Sequence, residues 1–325
     1  MTGAARRPFC LGRLKAVLSA ALLLGACASP AGDEWRGSDM PYAGFDRLPH
    51  ERIEVTGGVI EAAFAPGAEL PHEQILAWAR GRAAMVAQYY GRFPVAHAAL
   101  LFVPVRGSGV RFGQSFAFRG AATRVFIGAD VSADELDRDW VLVHELIHLA
   151  LPMLADSHHW LEEGLATYIE PAARAMAGNR TPADVWREWL ANMYKGVPDA
   201  GDRGLDRTRS WASTYWGGAL FGLLADVEIR KRTGNKKGLR DALRGVLAAG
   251  GNMEHDWPIE RVLAAGDAAT GTNVLAELYK KSANDPYRPD LDVLWKDLGV
   301  ELAGGTVRFD DRAPLAQVRK AITTP

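Results

Sequence analysis

The sequence has almost no cysteine. It carries two in 325 residues, Cys10 and Cys27, both within the first 27. They cannot staple a fold of this size, so a disulfide framework is excluded. Charge of one sign is equally scarce: 38 Lys and Arg against 39 Asp and Glu leave a net charge of −1. No basic excess exists to hold a nucleic-acid backbone. Nor is there an apolar run of about 20 residues, the length a helix needs to span a bilayer. Internal repeats are absent too. What is plentiful is apolar surface, at 48% hydrophobic residues with 10 Trp, 11 Phe and 8 Tyr. That excludes disorder as the main state and allows a large buried core.

The first residues read as an export signal. Arg6, Arg7, Arg13 and Lys15 precede any acidic residue, and an apolar run from Ala16 to Ala26 follows. Its length suits the apolar stretch of a signal peptide. The run ends in Leu24-Gly25-Ala26-Cys27, which resembles the bacterial lipoprotein box. The resemblance implies cleavage after residue 26 and lipid on Cys27, hence a membrane contact through that lipid. In a host with two membranes, Ala28 after the cysteine implies an outer-membrane protein facing the periplasm. Arg6-Arg7-Pro8-Phe9 faintly resembles a twin-arginine signal. Losing residues 1–26 removes four basic residues and no acidic one, which leaves a mildly acidic protein.

Residues 27–50 are rich in Gly, Pro and Asp and read as a lipidated tether. From 51 to 65 strand character is broken at Gly57-Gly58, as in a hairpin. A helix is predicted from Pro71 to Tyr90, then strands over 98–105, 110–118 and 123–127. One long helix is predicted from the capping-box pair Ser132 and Glu135 through Trp140 and His148 to a stop at Pro152. Beyond it the chain reads as mostly helical, near 158–170, 182–194, 213–232, 237–248, 258–266, 271–283 and 290–298. A short strand and a last helix follow Val300. The expected architecture is α+β: one bilobal domain over 51–325, with a β-containing lobe (51–152), a helical lobe (153–325) and a cleft between them. The polar loop Gly196–Ser210 reads as a mobile cover over the cleft or, by preference, a disordered connection, and Trp186, Trp189 and Trp211 as core or helix-packing residues.

The chemistry is concentrated in His144-Glu145-Leu146-Ile147-His148, which matches H-E-x-x-H. Histidines four apart on a helix share one face and can share a metal ion, Zn²⁺ for this pattern. Val141, Leu142, Val143, Leu146, Ile147 and Leu149 are apolar nearly all round, so the helix is buried. Buried polar side chains need a partner, and a metal supplies one. A third ligand is then required, with Asp156, His158, His159, Glu162 and Glu163 as candidates. Leu151 and Leu154 stand where a metzincin would need Gly and His. His148 lies roughly 4–5 Å from the helix stop, and Glu163 roughly 6 Å into a returning antiparallel helix. Geometry therefore favours Glu163. Glu162, rotated by about 100°, would be solvated or bind substrate.

The segment Trp160-Leu161-Glu162-Glu163-Gly164-Leu165-Ala166-Thr167-Tyr168-Ile169-Glu170 resembles the W-x-x-E-G-x-A-x-Y stretch of gluzincin metallopeptidases. The resemblance implies a thermolysin-like zincin fold with the zinc helix between the lobes. It assigns Glu163 as third zinc ligand and Glu170 as the carboxylate that orients a ligand histidine. Tyr215-Trp216-Gly217-Gly218-Ala219-Leu220, continuing to Leu239, is similar to the helix after the zinc segment in the glycyl aminopeptidase family. There a Tyr opening Y-x-x-G stabilises the oxyanion, which implies that role for Tyr215. His158, His159 and His255 are alternative donors. The likeness covers roughly residues 95–250. One departure is plain: the strand before the zinc helix lacks the G-x-M-E-N motif whose Glu binds a free substrate N-terminus.

These readings describe a zinc peptidase of the cell envelope acting on a peptide or protein, with Glu145 as general base. Two other readings compete. One is a retired peptidase fold used for envelope binding or assembly; the other is a zinc hydrolase of a non-peptide bond.

Overall fold

A computed structural model describes residues 33–325; the expected export signal and Cys27 lie outside the described residues. The chain enters through a short helix α1 (Tyr42–Phe45) and a hairpin, β1 (Glu51–Val55) and β2 (Gly58–Phe64). Helix α2 (His72–Tyr90) then crosses to β3 (His97–Val105), followed by β4 (Val110–Phe116) and β5 (Ala121–Gly128). The five strands order β1-β2-β3-β5-β4. The inner pairs β2–β3 and β3–β5 are parallel, and both ends of the sheet close antiparallel. Strand β4 is an edge.

Side chains alternate across the sheet with period two. Ile60, Leu100, Phe102, Val125 and Ile127 face the main core with Trp78, Val86, Leu142 and Leu146 from the helices. Ala63, Leu101, Val103, Phe116 and Ala122 face the other way, where Trp35, Met40 and Phe45 cover them. Both faces being buried explains why β3 reads as a continuous apolar run.

That second layer corrects the tether reading for residues 33–48. Arg124, buried in β5, gives hydrogen bonds to the carbonyls of Trp35 (3.2 Å), Asp39 (3.0 Å) and Gly37 (2.8 Å), and to Gln114 Oε1 (3.0 Å). Its guanidinium also lies over the rings of Phe116 and Phe126. The segment is a strap pinned to the back of the sheet.

The long helix predicted through Ser132 and His148 is two helices, α3 (Ala133–Arg138) and α4 (Val141–His148). The capping box at Ser132 and Glu135 is formed. The break falls at Asp139, whose backbone is extended and whose carboxylate accepts from Leu142 N at 3.2 Å. Arg82 and Arg174 donate to the carbonyls of residues 136–138 that a continuous helix would have used.

The rest is helical around α5 (His159–Met176): α6 (Pro182–Asn192), α7 (Gly218–Arg232), α8 (Leu239–Ala248), α9 (Ile259–Thr270), α10 (Val274–Ser282) and α11 (Leu291–Leu298). A hairpin of β6 (Val300–Ala303) and β7 (Thr306–Phe309) and helix α12 (Ala316–Ile322) end the chain. No helix of the described residues is long and apolar enough to cross a membrane.

Candidate metal centre

Helix α4 is buried along its whole length, with His144, Glu145 and His148 only 2–3% exposed. The chain turns back after it, and α5 runs alongside. At the turn the Glu162 carboxylate accepts from Leu154 N at 3.1 Å, with His159 Nδ1 3.3 Å away. Glu162 is thus a buried brace of the turn, not the solvated group that was one of its two expected roles.

One residue on, Glu163 is fully buried and points at α4. Its Oε2 lies 3.1 Å from His144 Nε2 and 3.7 Å from His148 Nε2. A ligand atom from each of the three residues lies within 4.8 Å of the other two. The imidazole rings are 4.9 Å apart and nearly perpendicular. Among the described residues, His148 Nε2 and Glu163 Oε1 have no hydrogen-bond partner although both atoms are buried. Unpaired buried polar atoms cost about 1–3 kcal/mol each. Two nitrogens and a carboxylate converging this way suit a divalent cation, and zinc accepts such a donor set.

The electrostatics agree. Burial pushes His148 down to about 4, so it is the neutral imidazole a metal requires. Burial works to lower His144, but the bond its imidazole makes to Glu163 and the charges of Glu163, Glu145 and Glu170 together outweigh it, and the histidine is raised. Burial would raise Glu163; the surrounding His148, His144 and His159 hold it below the ordinary carboxylate range instead.

Tyr215 sits in a π-helical turn, Ala212–Gly217, that leads into α7. The turn reaches α5 because two glycines let the backbones touch. A Cβ on Gly164 would lie 2.2 Å from Gly218 Cα, and one on Gly218 would lie 2.0 Å from the Trp160 carbonyl oxygen. Glu163 is next to that crossing and Tyr215 is three residues before it. The E-G and Y-x-x-G patterns thus have a packing cause as well as a chemical one. Trp211, expected as a core or helix-packing residue, is 52% exposed and stacks on Tyr215 at 5.8 Å. Trp186 and Trp189 are fully buried.

No protein-family sequence model matches the chain, and no curated protein resembles it in sequence. Solved structures do resemble it. An aminopeptidase N family protein from Idiomarina loihiensis superposes with a TM-score of 0.58 at 16% identity, over 78% of this chain and 49% of that one. An M1 zinc metallopeptidase from Deinococcus radiodurans gives a TM-score of 0.49 at 18% identity, over 75% and 53% of the two chains. The chain spans about half the length of each. At such identity the likeness to the Idiomarina protein is one of fold.

The remaining expected residues fall in several places. Glu170 Oε1 accepts from Arg174 Nη1 at 2.9 Å rather than from a histidine, although its charge is felt at His144. Of the alternative donors, His158 is 3.1 Å from the Tyr279 hydroxyl, and His255 is exposed. His159 stays at the site, its Nε2 3.6 Å from Glu163 Oε1. The loop after Gly196 is not loose. Asp206 accepts from Trp160 Nε1 at 2.8 Å and from the Tyr279 hydroxyl at 2.7 Å, and Leu205 N bonds the Ser282 carbonyl.

Three residues around the centre were not read from sequence. Trp140 sets its ring edge-to-face on His144 at 5.4 Å and is half exposed. Gly113 and Ser115 of β4 lie against Glu145. Nothing in the local pattern of Val110–Phe116 marks them, because strand register against a helix is a tertiary fact.

Proposed function

We propose that this chain is a zinc-dependent peptidase of gluzincin type, with a thermolysin-like arrangement of lobes. The observation that carries the reading is the buried trio His144, His148 and Glu163, with two polar atoms lacking hydrogen bonds, beside the carboxylate of Glu145. A zinc ion held by the trio would acidify a water and polarise the scissile carbonyl. Glu145 takes the proton from the attacking water and delivers it to the leaving amine nitrogen. The Tyr215 phenol donates to the oxyanion as it forms. Glu170, bonded to Arg174, acts on the ligand histidine His144 through space and not by a hydrogen bond. The substrate is a peptide or protein, and lipid on Cys27 holds the enzyme in the cell envelope. The likeness of fold to an aminopeptidase N family protein supports a peptidase at the level of fold.

The decisive experiment is metal analysis of the purified protein, then digestion of a peptide library with and without chelator. Glu145→Gln should keep about one zinc per chain and lose roughly 10²–10⁴-fold in kcat. Retained cleavage in that variant refutes the assignment. Tyr215→Phe should lower kcat by about 10²-fold with KM little changed.

A further inference from the structure

The mechanism asks Glu145 to hold one orientation while it takes and gives a proton, yet α4 ends three residues later. The edge strand β4 meets the helix at this point. Ser115 Oγ lies 3.0 Å from Glu145 Oε2 and 2.9 Å from the Glu145 carbonyl oxygen. Thr123, opposite Ser115 in the β4–β5 register, places its own hydroxyl 3.1 Å from Ser115 Oγ. Both residues are 0–1% exposed, so water does not compete.

A serine hydroxyl has one proton to give. Of its two acceptors on Glu145 a carboxylate is the stronger whenever it is ionised, since a charge-assisted bond is roughly twice as strong as a neutral one. The Thr123 hydroxyl can in turn donate to the Ser115 oxygen, which leaves the Ser115 proton directed at Glu145. Gly113, two residues earlier on the same face of β4, completes the fit. A Cβ there would lie 2.5 Å from Glu145 Cγ and 2.7 Å from Val141 Cγ1. One strand therefore leaves space for the stem of Glu145 and bonds its head.

We propose that Ser115, supported by Thr123, is the positioning residue that fixes the Glu145 carboxylate. Fixing one carboxylate oxygen fixes the direction of the other, and the effect reaches the reaction only through Glu145. The proposal rests on the peptidase reading for the role of Glu145, but the contact itself can be tested without activity.

Two arms test it on the zinc-loaded protein. High-resolution crystal structures of the wild type and Ser115→Ala are compared first. The variant should show Glu145 rotated or in several orientations; an unmoved, single orientation overturns the proposal. In the second arm Ser115→Ala should lose about 10–100-fold in kcat with KM within about twofold and zinc still at one per chain. Ser115→Thr, which restores the hydroxyl, should recover most of the loss. Wild-type kcat in Ser115→Ala, or no recovery in a folded Ser115→Thr, overturns the proposal. Should Ser115→Ala fail to fold, Ser115→Cys keeps the volume with a much weaker donor; it should lose about tenfold in kcat, and unchanged kcat overturns the proposal. If the wild type shows no chelator-sensitive cleavage, the peptidase reading is what fails. The crystallographic arm then decides the Ser115 contact alone.

Discussion

Glu163 and Glu170 stand seven residues apart on α5, both buried, in opposite company. Glu170 meets Arg174 one turn on, and that guanidinium also donates to Asn179 Oδ1 at 2.7 Å and toward the carbonyls of Asp137 and Arg138. Its carboxyl is answered within the protein. Glu163 meets three imidazoles, one of which burial keeps neutral, and one of its oxygens has no hydrogen bond among the described residues. A buried carboxylate in a fold costs several kcal/mol unless it is paired. The first pair closes that account with an arginine; the second set of donors leaves a cation as the group that would close it. The contrast separates a structural Glu–Arg pair from a candidate metal centre on one helix, without reference to any motif.

The largest effect follows directly. Glu163→Gln should reduce zinc from about one per chain to nearly none, and added zinc should no longer raise Tm, since a ligand stabilises only a state that binds it. Glu170→Ala should behave otherwise. It should keep its zinc, with affinity changed less than the 10–100-fold typical of losing a carboxylate hydrogen-bonded to a ligand histidine. Its cost should appear in stability, about 3–5 kcal/mol in urea titration, because Arg174 is left buried without its partner. A folded Glu170→Ala protein that sheds zinc would join the two carboxylates into one site and break the distinction.

How much of this could be read beforehand depends on how local each cause is. The strands, most helices and the pair His144 and His148 follow from period and spacing, which neighbours along the chain settle. Glu163 came from counting rise per residue across a turn, and the structure sets its carboxylate against those histidines. The division between α3 and α4 was missed because Arg82 and Arg174, from α2 and α5, take the carbonyls at the break. The strap over residues 33–48 was missed because Gly, Pro and Asp look the same in a tether and in a segment pinned by Arg124. Ser115 was invisible for the same reason. Its meaning lies in what β4 faces, and strand register does not show in a single strand.

The smallest expected effect tests the Glu170 side of the comparison most finely. Burial pushes its carboxyl up to about 7 against the pull of Arg174, while an unfolded glutamate titrates near 4.3. Between those values the native protein holds a proton that the unfolded chain has released. Stability should therefore fall as pH rises through that window, by at most about 3 kcal/mol for this one group. Asp139, raised to about 6 by burial, slopes the same way, so the wild-type curve alone does not isolate Glu170. Glu170→Gln removes the titrating group and keeps an oxygen for Arg174 to bond. With zinc removed from both proteins, His148, His159 and Glu163 cancel in the difference, which then reports Glu170 together with its coupling to His144. Wild type minus Glu170→Gln should then decline from pH 4.5 to pH 7.5 in urea unfolding. A flat difference would mean that Arg174 keeps Glu170 ionised throughout. The pair would then be a permanent ion pair, and the contrast with Glu163 would rest on the identity of the partner rather than on protonation.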